Sequence, residues 1–329
     1  MGTKDRYFDY RSLLGHVFIL ILICLLPFFV SDFVKILAVE AILLAVFALS
    51  LDLIMGHAGI VSFGHATFFG AGGYTLGMVI IHWVPSIWLS LILATLICGI
   101  LALFIGVVSI RAKGIYFAIL TLAFGEVIYR VVFHTYALGG SDGLIGIPVP
   151  DLNLFGLIQI DLKKPIHFYY LAVIFAYLAY LVSRRLMTSP FGQVLQGIRD
   201  NEDRVSFIGF NVRKYKIIAF VISGILAGMS GALFSLFKTF ADTEQLHFLL
   251  SGKVIIMNLI GGMGTLIGPM IGAVFLTVFE TVISSYFTAH QLITGAIFVL
   301  VVIFMPKGFY GFFASFVNGV RLCFSRFKR

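Results

Sequence analysis

Apolar residues in this chain come in long unbroken runs, not in the spaced stripe of a surface helix or the alternation of a half-buried strand. The runs fall at about 13–30, 34–55, 60–81, 87–109, 115–133, 167–183, 216–237, 253–283 and 289–305. Most approach or exceed the roughly 20 apolar residues that one helix needs to cross a hydrocarbon core. All are expected to be helical, because irregular backbone facing lipid would leave its polar groups unpaired. The pattern predicts an all-α, polytopic transmembrane bundle of about nine to ten helices, with residues 1–329 forming a single domain.

Two runs are interrupted by glycine. The first passes from Gly56-His57-Ala58-Gly59 through Ser62-Phe63-Gly64-His65 to Gly70-Ala71-Gly72-Gly73. The second passes from Gly261-Gly262-Met263-Gly264 through Gly268-Pro269 to Gly272-Ala273. Leu53-Ile54-Met55-Gly56 and Leu259-Ile260-Gly261-Gly262 open them at comparable places in the two halves. Such a pair points to an internal repeat whose broken helices build a midplane binding site. Ordinary small-residue packing between helices is the plainer alternative.

Composition agrees with the runs. The chain is 60% hydrophobic and 12% charged, with a mean hydropathy of +1.06, against about 45–50% and about 25% in soluble domains. The net charge of +8 resides in connections between runs, as topology-setting basic residues do, so it gives no reason to expect nucleic acid. The N-terminus, the Arg111/Lys113 turn, the connection 184–216 and the tail 306–329 hold 17 of the 23 Lys and Arg. Placing all four in the cytoplasm puts 134–166 outside and requires 253–283 to pass twice, broken near Gly264. Lys4, Arg6 and Arg11 before a long run without a small-residue cleavage site predict a retained first helix, not a signal peptide. Cys24, Cys98 and Cys323 are far apart and form no metal or disulfide pattern. No Gly-rich phosphate loop and no nucleophile elbow is present, so ATP hydrolysis by this chain is not expected.

The connection 184–216 carries seven basic residues against Asp200, Glu202 and Asp203. Val194, Leu195, Ile198, Val205 and Ile208 follow at roughly helical spacing, which predicts a short amphipathic helix able to dock on a soluble partner. Within the runs, Glu126 and Arg130 lie four apart and are expected to pair. Glu40, Asp52 and Glu280 have no partner legible in the sequence and are candidates for ion or proton binding, or for polar contacts between helices. His57 and His65 are separated by a glycine break and are read as polar packing, not metal ligands. Gly140-Ser141-Asp142-Gly143 reads as a turn.

Five blocks in order resemble the LivM-type permease subunits of branched-chain amino acid ABC transporters. The first is Ala48-Leu49-Ser50-Leu51-Asp52-Leu53 with Gly56-His57-Ala58-Gly59 and Ser62-Phe63-Gly64-His65-Ala66. The second runs from Gly114-Ile115-Tyr116-Phe117 to Phe124, and the third from Gly139-Gly140-Ser141-Asp142-Gly143 to Pro148. The fourth spans Ser189-Pro190-Phe191-Gly192, Ile198-Arg199-Asp200-Asn201-Glu202, Gly209-Phe210-Asn211-Val212 and Ala227-Gly228-Met229-Ser230-Gly231. Gly261-Gly262-Met263-Gly264-Thr265 with Gly268-Pro269 completes the set. The resemblance departs at Asp52, His57 and Ile60, where the family often has asparagine, tyrosine and glutamine, and these positions bear on the solute. Relatives of this type also carry urea, short amides or other amino acids.

The resemblance implies a non-catalytic inner-membrane subunit that works with two ATP-binding subunits, a second related permease and an extracytoplasmic solute-binding protein. ATP and magnesium would sit on the partner subunits, with no cofactor in this chain. It further implies that 184–216 is the ATPase-coupling loop, with Arg199, Asp200 and Glu202 as polar contacts and Gly192 and Gly209 at turns. A zwitterionic solute needs N–H donors for its carboxylate, which the start of a half-helix supplies. Ser62, Gly64, His65 and Thr67, with Gly262, Gly264 and Thr265 opposite, are therefore the substrate-pathway candidates. The Gly140–Gly143 turn is a candidate part of the surface that receives the binding protein. An ion-coupled transporter or channel acting alone is the alternative, and it would depend on Glu40, Asp52 or Glu280 and not on 184–216. A membrane-embedded enzyme is disfavoured because no acid–base pair or metal motif converges.

Overall fold

The structure, a computed structural model, describes residues 24–154 and 158–286 together with 292, 293, 295, 296, 299, 303, 308, 309 and 311. Of the expected first span, residues 24–29 are helical and 13–23 lie outside the described residues. Most of the basic tail, Cys323 and most of 289–305 also lie outside them.

Six described helices are long and apolar enough to cross a membrane. They are α1 (Asp32–Ala58), α3 (Ile87–Ser109), α4 (Ile115–Phe133), α5 (Pro165–Thr188), α8 (Val212–Lys238) and α10 (Ile267–Ser284). Between them lie α2 (His65–His82), the short pair α6 (Pro190–Asp200) and α7 (Glu202–Phe207), and α9 (Phe248–Gly261). The fold is all-α and polytopic. Its few strands form two small antiparallel ladders, β1 (Leu144–Ile145) with β4 (Phe240–Ala241) and β2 (Leu152–Leu154) with β3 (Ile158–Ile160).

Local chemistry explains the helix ends. Ser86 accepts from the Leu89 amide at 3.5 Å to start α3, and Pro165 and Pro190 sit in the first turns of α5 and α6, where a missing N–H costs nothing. Asn201 and Asn211 cap α7 and α8 by accepting from Arg204 and Lys214 at 2.9 and 3.1 Å. Gly59, at φ 69, turns the chain out of α1, and the Ile60 amide donates back to the Ile54 carbonyl at 3.0 Å, closing the helix as a left-handed residue does. The run expected at 60–81 therefore begins its helix only at His65. The run at 253–283 is divided into α9 and α10 by the turn 262–266, and α9 starts earlier than its hydropathy indicates because the His247 ring caps Leu249 at 3.4 Å.

The core is built from α1, α2 and α8. Phe47, Phe68, Phe69 and Phe220 are fully buried there, in edge and tilted contacts such as Phe68–Phe220 at 5.4 Å and Phe47–Phe69 at 4.5 Å. The helices approach closely because glycine faces backbone. A Cβ on Gly72 would overlap the Gly228 carbonyl, and one on Gly231 would overlap the Phe69 carbonyl. Small residues are what permit van der Waals packing where lipid offers no hydrophobic drive.

Candidate functional site

At the end of the bundle that carries α6 and α7, three segments converge. The Asp52 side chain, on α1 and fully buried, accepts from the Gly264 amide at 2.7 Å and the Leu266 amide at 3.1 Å. These amides belong to the irregular turn between α9 and α10, where no helical carbonyl could pair them. The carboxylate thus takes the place of an N-terminal cap. Leu266 is held at φ 62, an unusual conformation for a non-glycine residue. Thr265 closes the turn locally, donating to the Gly262 carbonyl at 2.8 Å and accepting from the Gly268 amide at 2.9 Å. His57 lies beside the same carboxylate, its Nδ1 3.8 Å from Asp52 Oδ2. A Cβ on Gly56 would strike both the Asp52 carboxylate and the Gly264 amide, so the close approach requires glycine.

A second polar seam surrounds the start of α2. His65 Nε2 lies 3.0 Å from Ser50 Oγ and 3.3 Å from Ser223 Oγ. Ser50 stands about two turns from the end of α1 and Ser223 about three turns from the start of α8, so α2 begins inside the bundle. The Phe47 ring stacks on the imidazole at 5.7 Å. Ser251 of α9 accepts from the Ala66 amide at 2.8 Å, and Thr121 of α4 accepts from the Phe63 amide at 3.3 Å. Gly64 packs against the Thr121 carbonyl, and Gly125 against Thr67 Oγ1 and Gly64. Ser62, His65 and Thr67 are fully buried, and among the described residues Ser62 Oγ, Thr67 Oγ1 and His65 Nδ1 have no hydrogen-bond partner. Asn258 joins the seam by donating to the Ala48 carbonyl at 3.1 Å, and its Oδ1 is likewise unpaired. The two glycine-rich segments have different neighbourhoods. Gly64 faces α4, whereas Gly264 faces Gly56 and Arg199.

The connection 184–216 forms a helix pair. α6 buries Gly192, Leu195 and Ile198, and α7 buries Val205. Gly192 lies against the Met187 carbonyl, which allows α6 to fold back on α5. Gly209, at φ 98, turns the chain toward α8. Lys216, nearly buried, donates to Glu202 at 2.6 Å. Asp203 lies 3.5 Å from Lys113, tying the pair to the turn before α4. Asp200 is exposed. Arg199 turns back into the protein and donates to the Gly56 carbonyl. Arg199, Asp200, Asn201, Glu202 and Lys216 line a recess of about 270 Å³ together with Gly59, Ile110 and Phe117. Beyond it, Phe207 is 89% exposed and Ile208 70% exposed.

The charges left without a partner by the sequence find one here. Glu40 accepts from Lys238 at 2.7 Å, Glu280 pairs with Lys253, and Asp52 holds the two amides. Glu126 and Arg130 pair at 3.0 Å, as their spacing predicts. Among the described residues, no group of three His, Cys, Asp or Glu side chains could hold a metal ion. The sequence reading passed over Ser50, Ser223, Ser251 and Asn258. Their signal was a polar residue within an otherwise apolar run, which in lipid requires a partner.

The family model for the permease component of branched-chain amino acid transport systems matches residues 33–305. The high-affinity branched-chain amino acid transport system permease protein LivM of Escherichia coli is 28% identical over 311 residues, 89% of this chain and 73% of the relative. A probable LivM of Methanocaldococcus jannaschii is 27% identical over 278 residues, 73% of this chain and 78% of the relative. A ribose import permease protein, RbsC of Haemophilus influenzae, is 25% identical over 178 residues, 51% of this chain and 48% of the relative. No solved structure matches the chain. The chain belongs to the branched-chain amino acid transport permease family and is a multi-pass membrane protein.

Proposed function

We propose that this chain, as a member of that permease family, is a non-catalytic subunit of an ATP-driven importer of branched-chain amino acids or a related small solute. The observation that carries the reading is the α6–α7 pair. It is a folded, charged unit at one end of the bundle, packed against the end of α1 and beside the turn that separates α9 from α10. A soluble ATPase that moved this unit would act directly on the segments forming the inner core. Two ATP-binding subunits, carrying ATP and magnesium, would engage it from the cytoplasm, with both chain termini inside and the connection 134–166 outside. A second related permease would complete the pathway, and an extracytoplasmic binding protein would deliver solute at the opposite end, where Gly140–Gly143 lies. The inner membrane is the corresponding location, and residues 1–329 act as one permease domain of nine to ten helices.

Ser62, Gly64, His65 and Thr67 line the pathway in this reading. Their support is the start of α2 inside the bundle, with buried hydroxyls that have no partner among the described residues, where helix N–H groups favour a carboxylate. Gly262, Gly264 and Thr265 would serve from the other broken segment. An internal repeat is supported by the two Leu-Ile-containing motifs, which lie near the ends of α1 and α9, each helix running into a break.

Gentle affinity purification of the tagged chain from its native membranes tests the proposal. Recovery of two nucleotide-binding subunits and a second hydrophobic permease is expected, with ATP-dependent uptake of labelled leucine after reconstitution with a binding protein. A chain that purifies alone and transports without ATP would refute the importer reading in favour of ion-coupled transport.

A further inference from the structure

Arg199 belongs to the helix that this reading assigns to the ATPases and is exposed as a residue, yet its Nη1 is turned to the end of α1. It donates to the Gly56 carbonyl, one of the last carbonyls of α1, which have no partner within the helix. A cation there also sits at the negative end of the helix dipole. The side-chain stem crosses the end of α1, since a Cβ on Gly59 would lie 3.2 Å from Arg199 Cγ. The same Nη1 also lies beside the break between α9 and α10, because a Cβ on Gly264 would lie 3.0 Å from it and 3.0 Å from the Gly56 carbonyl oxygen. Asp52 completes the junction from within α1 by holding the Gly264 and Leu266 amides at 2.7 and 3.1 Å. One planar group therefore touches α1 and the 262–266 turn while its backbone belongs to α6.

We propose that Arg199 is the positioning residue that couples movement of α6 to the α9–α10 break, holding the end of α1 and the 262–266 turn as one unit. The proposal rests on the importer reading above, but assigns Arg199 an inward role in place of an ATPase contact. Displacing α6 moves the guanidinium, and the turn follows because its two amides are bound to Asp52 on the same helix end. Lysine keeps the charge but carries it on a flexible stem without the fixed plane of the guanidinium, so it holds the nitrogen between the two segments less firmly.

The test uses the full importer in proteoliposomes, with Arg199→Ala and Arg199→Lys beside the unaltered chain. Three quantities are measured: ATPase subunits retained, ATP hydrolysed and solute taken up. A spin label at Met263→Cys, an exposed position in the turn, reports whether the turn responds to nucleotide. Expected for Arg199→Ala are an intact complex, ATP hydrolysis within about twofold, uptake per ATP lower by about tenfold, and a label that no longer responds to nucleotide. Arg199→Lys is expected to fall between the two. Loss of ATPase subunits, or uptake and hydrolysis falling in parallel while the label still responds, would make Arg199 a docking contact and overturn the proposal. Unchanged uptake in Arg199→Ala overturns it as well. A wild-type chain that assembles with no ATPase overturns the importer reading and this proposal with it, a result distinguishable from a coupling defect.

Discussion

Gly72→Ala is expected to destabilise the protein although alanine is the better helix former. An alanine in a helix interior gains up to about 1 kcal/mol over glycine. At Gly72 the added methyl would overlap the Gly228 carbonyl of the neighbouring helix, and neither backbone can move aside alone. Overpacking of this kind costs about 1–3 kcal/mol, beyond the propensity gain. Two other glycines calibrate the effect. A Cβ on Gly252 meets nothing within 4 Å, while one on Gly99 meets Ile225 at 3.4 Å, an ordinary contact. Gly252→Ala and Gly99→Ala are expected to melt at or above wild type and Gly72→Ala lowest. At about 2 °C per kcal/mol the spread between the extremes is roughly 4–8 °C. Cys98 supplies the readout, because it is buried against Gly228. A thiol-reactive dye in detergent reports its exposure as α2, α3 and α8 separate. Equal midpoints for the three variants, or Gly72→Ala melting above Gly252→Ala, would refute the close-packing account.

Asp52→Ala removes the acceptor of two amides that have no alternative partner in the 262–266 turn, an expected loss of about 2–4 kcal/mol. Asp52→Asn, with one acceptor oxygen left, is expected to melt between Asp52→Ala and wild type, and an alanine variant as stable as wild type would count against the cap. Glu202→Gln leaves Lys216 nearly buried beside a neutral group; with Glu202 about one-third exposed the loss is about 1–2 kcal/mol. Adding Lys216→Met should recover most of it, and a double variant weaker than the single would show that Lys216 has another role. Ser251→Ala unpairs the Ala66 amide at the start of α2, with an expected loss of about 1 kcal/mol in the same thermal assay.

Hydropathy alone located most of the helices, and two of them, α3 and α4, span the same residues as their runs. This succeeds because lipid removes the usual ambiguity. With no water to pair the backbone, a long apolar run can only be helical. The short helix in 184–216 was legible too, from apolar spacing within a charged stretch, and so was the pairing of Glu126 with Arg130, because the period of one helix brings both together. The five motif blocks, taken in order, identified the family.

Only the tertiary structure decided where the polar residues of those runs go. Asp52 meets the Gly264 amide from 212 residues away, Asn258 reaches Ala48 across 210, and Ser230 donates to Leu43 across 187. No periodicity within one helix encodes such pairs, since each depends on how two distant helices are placed and rotated against each other. The same holds for Arg199, which reads as a surface charge in sequence and lies against Gly56 and Gly264 in the fold. Hydrophobicity is a property of each segment and could be read locally. Satisfying a buried polar group is a property of two segments at once, and it was fixed only when they packed.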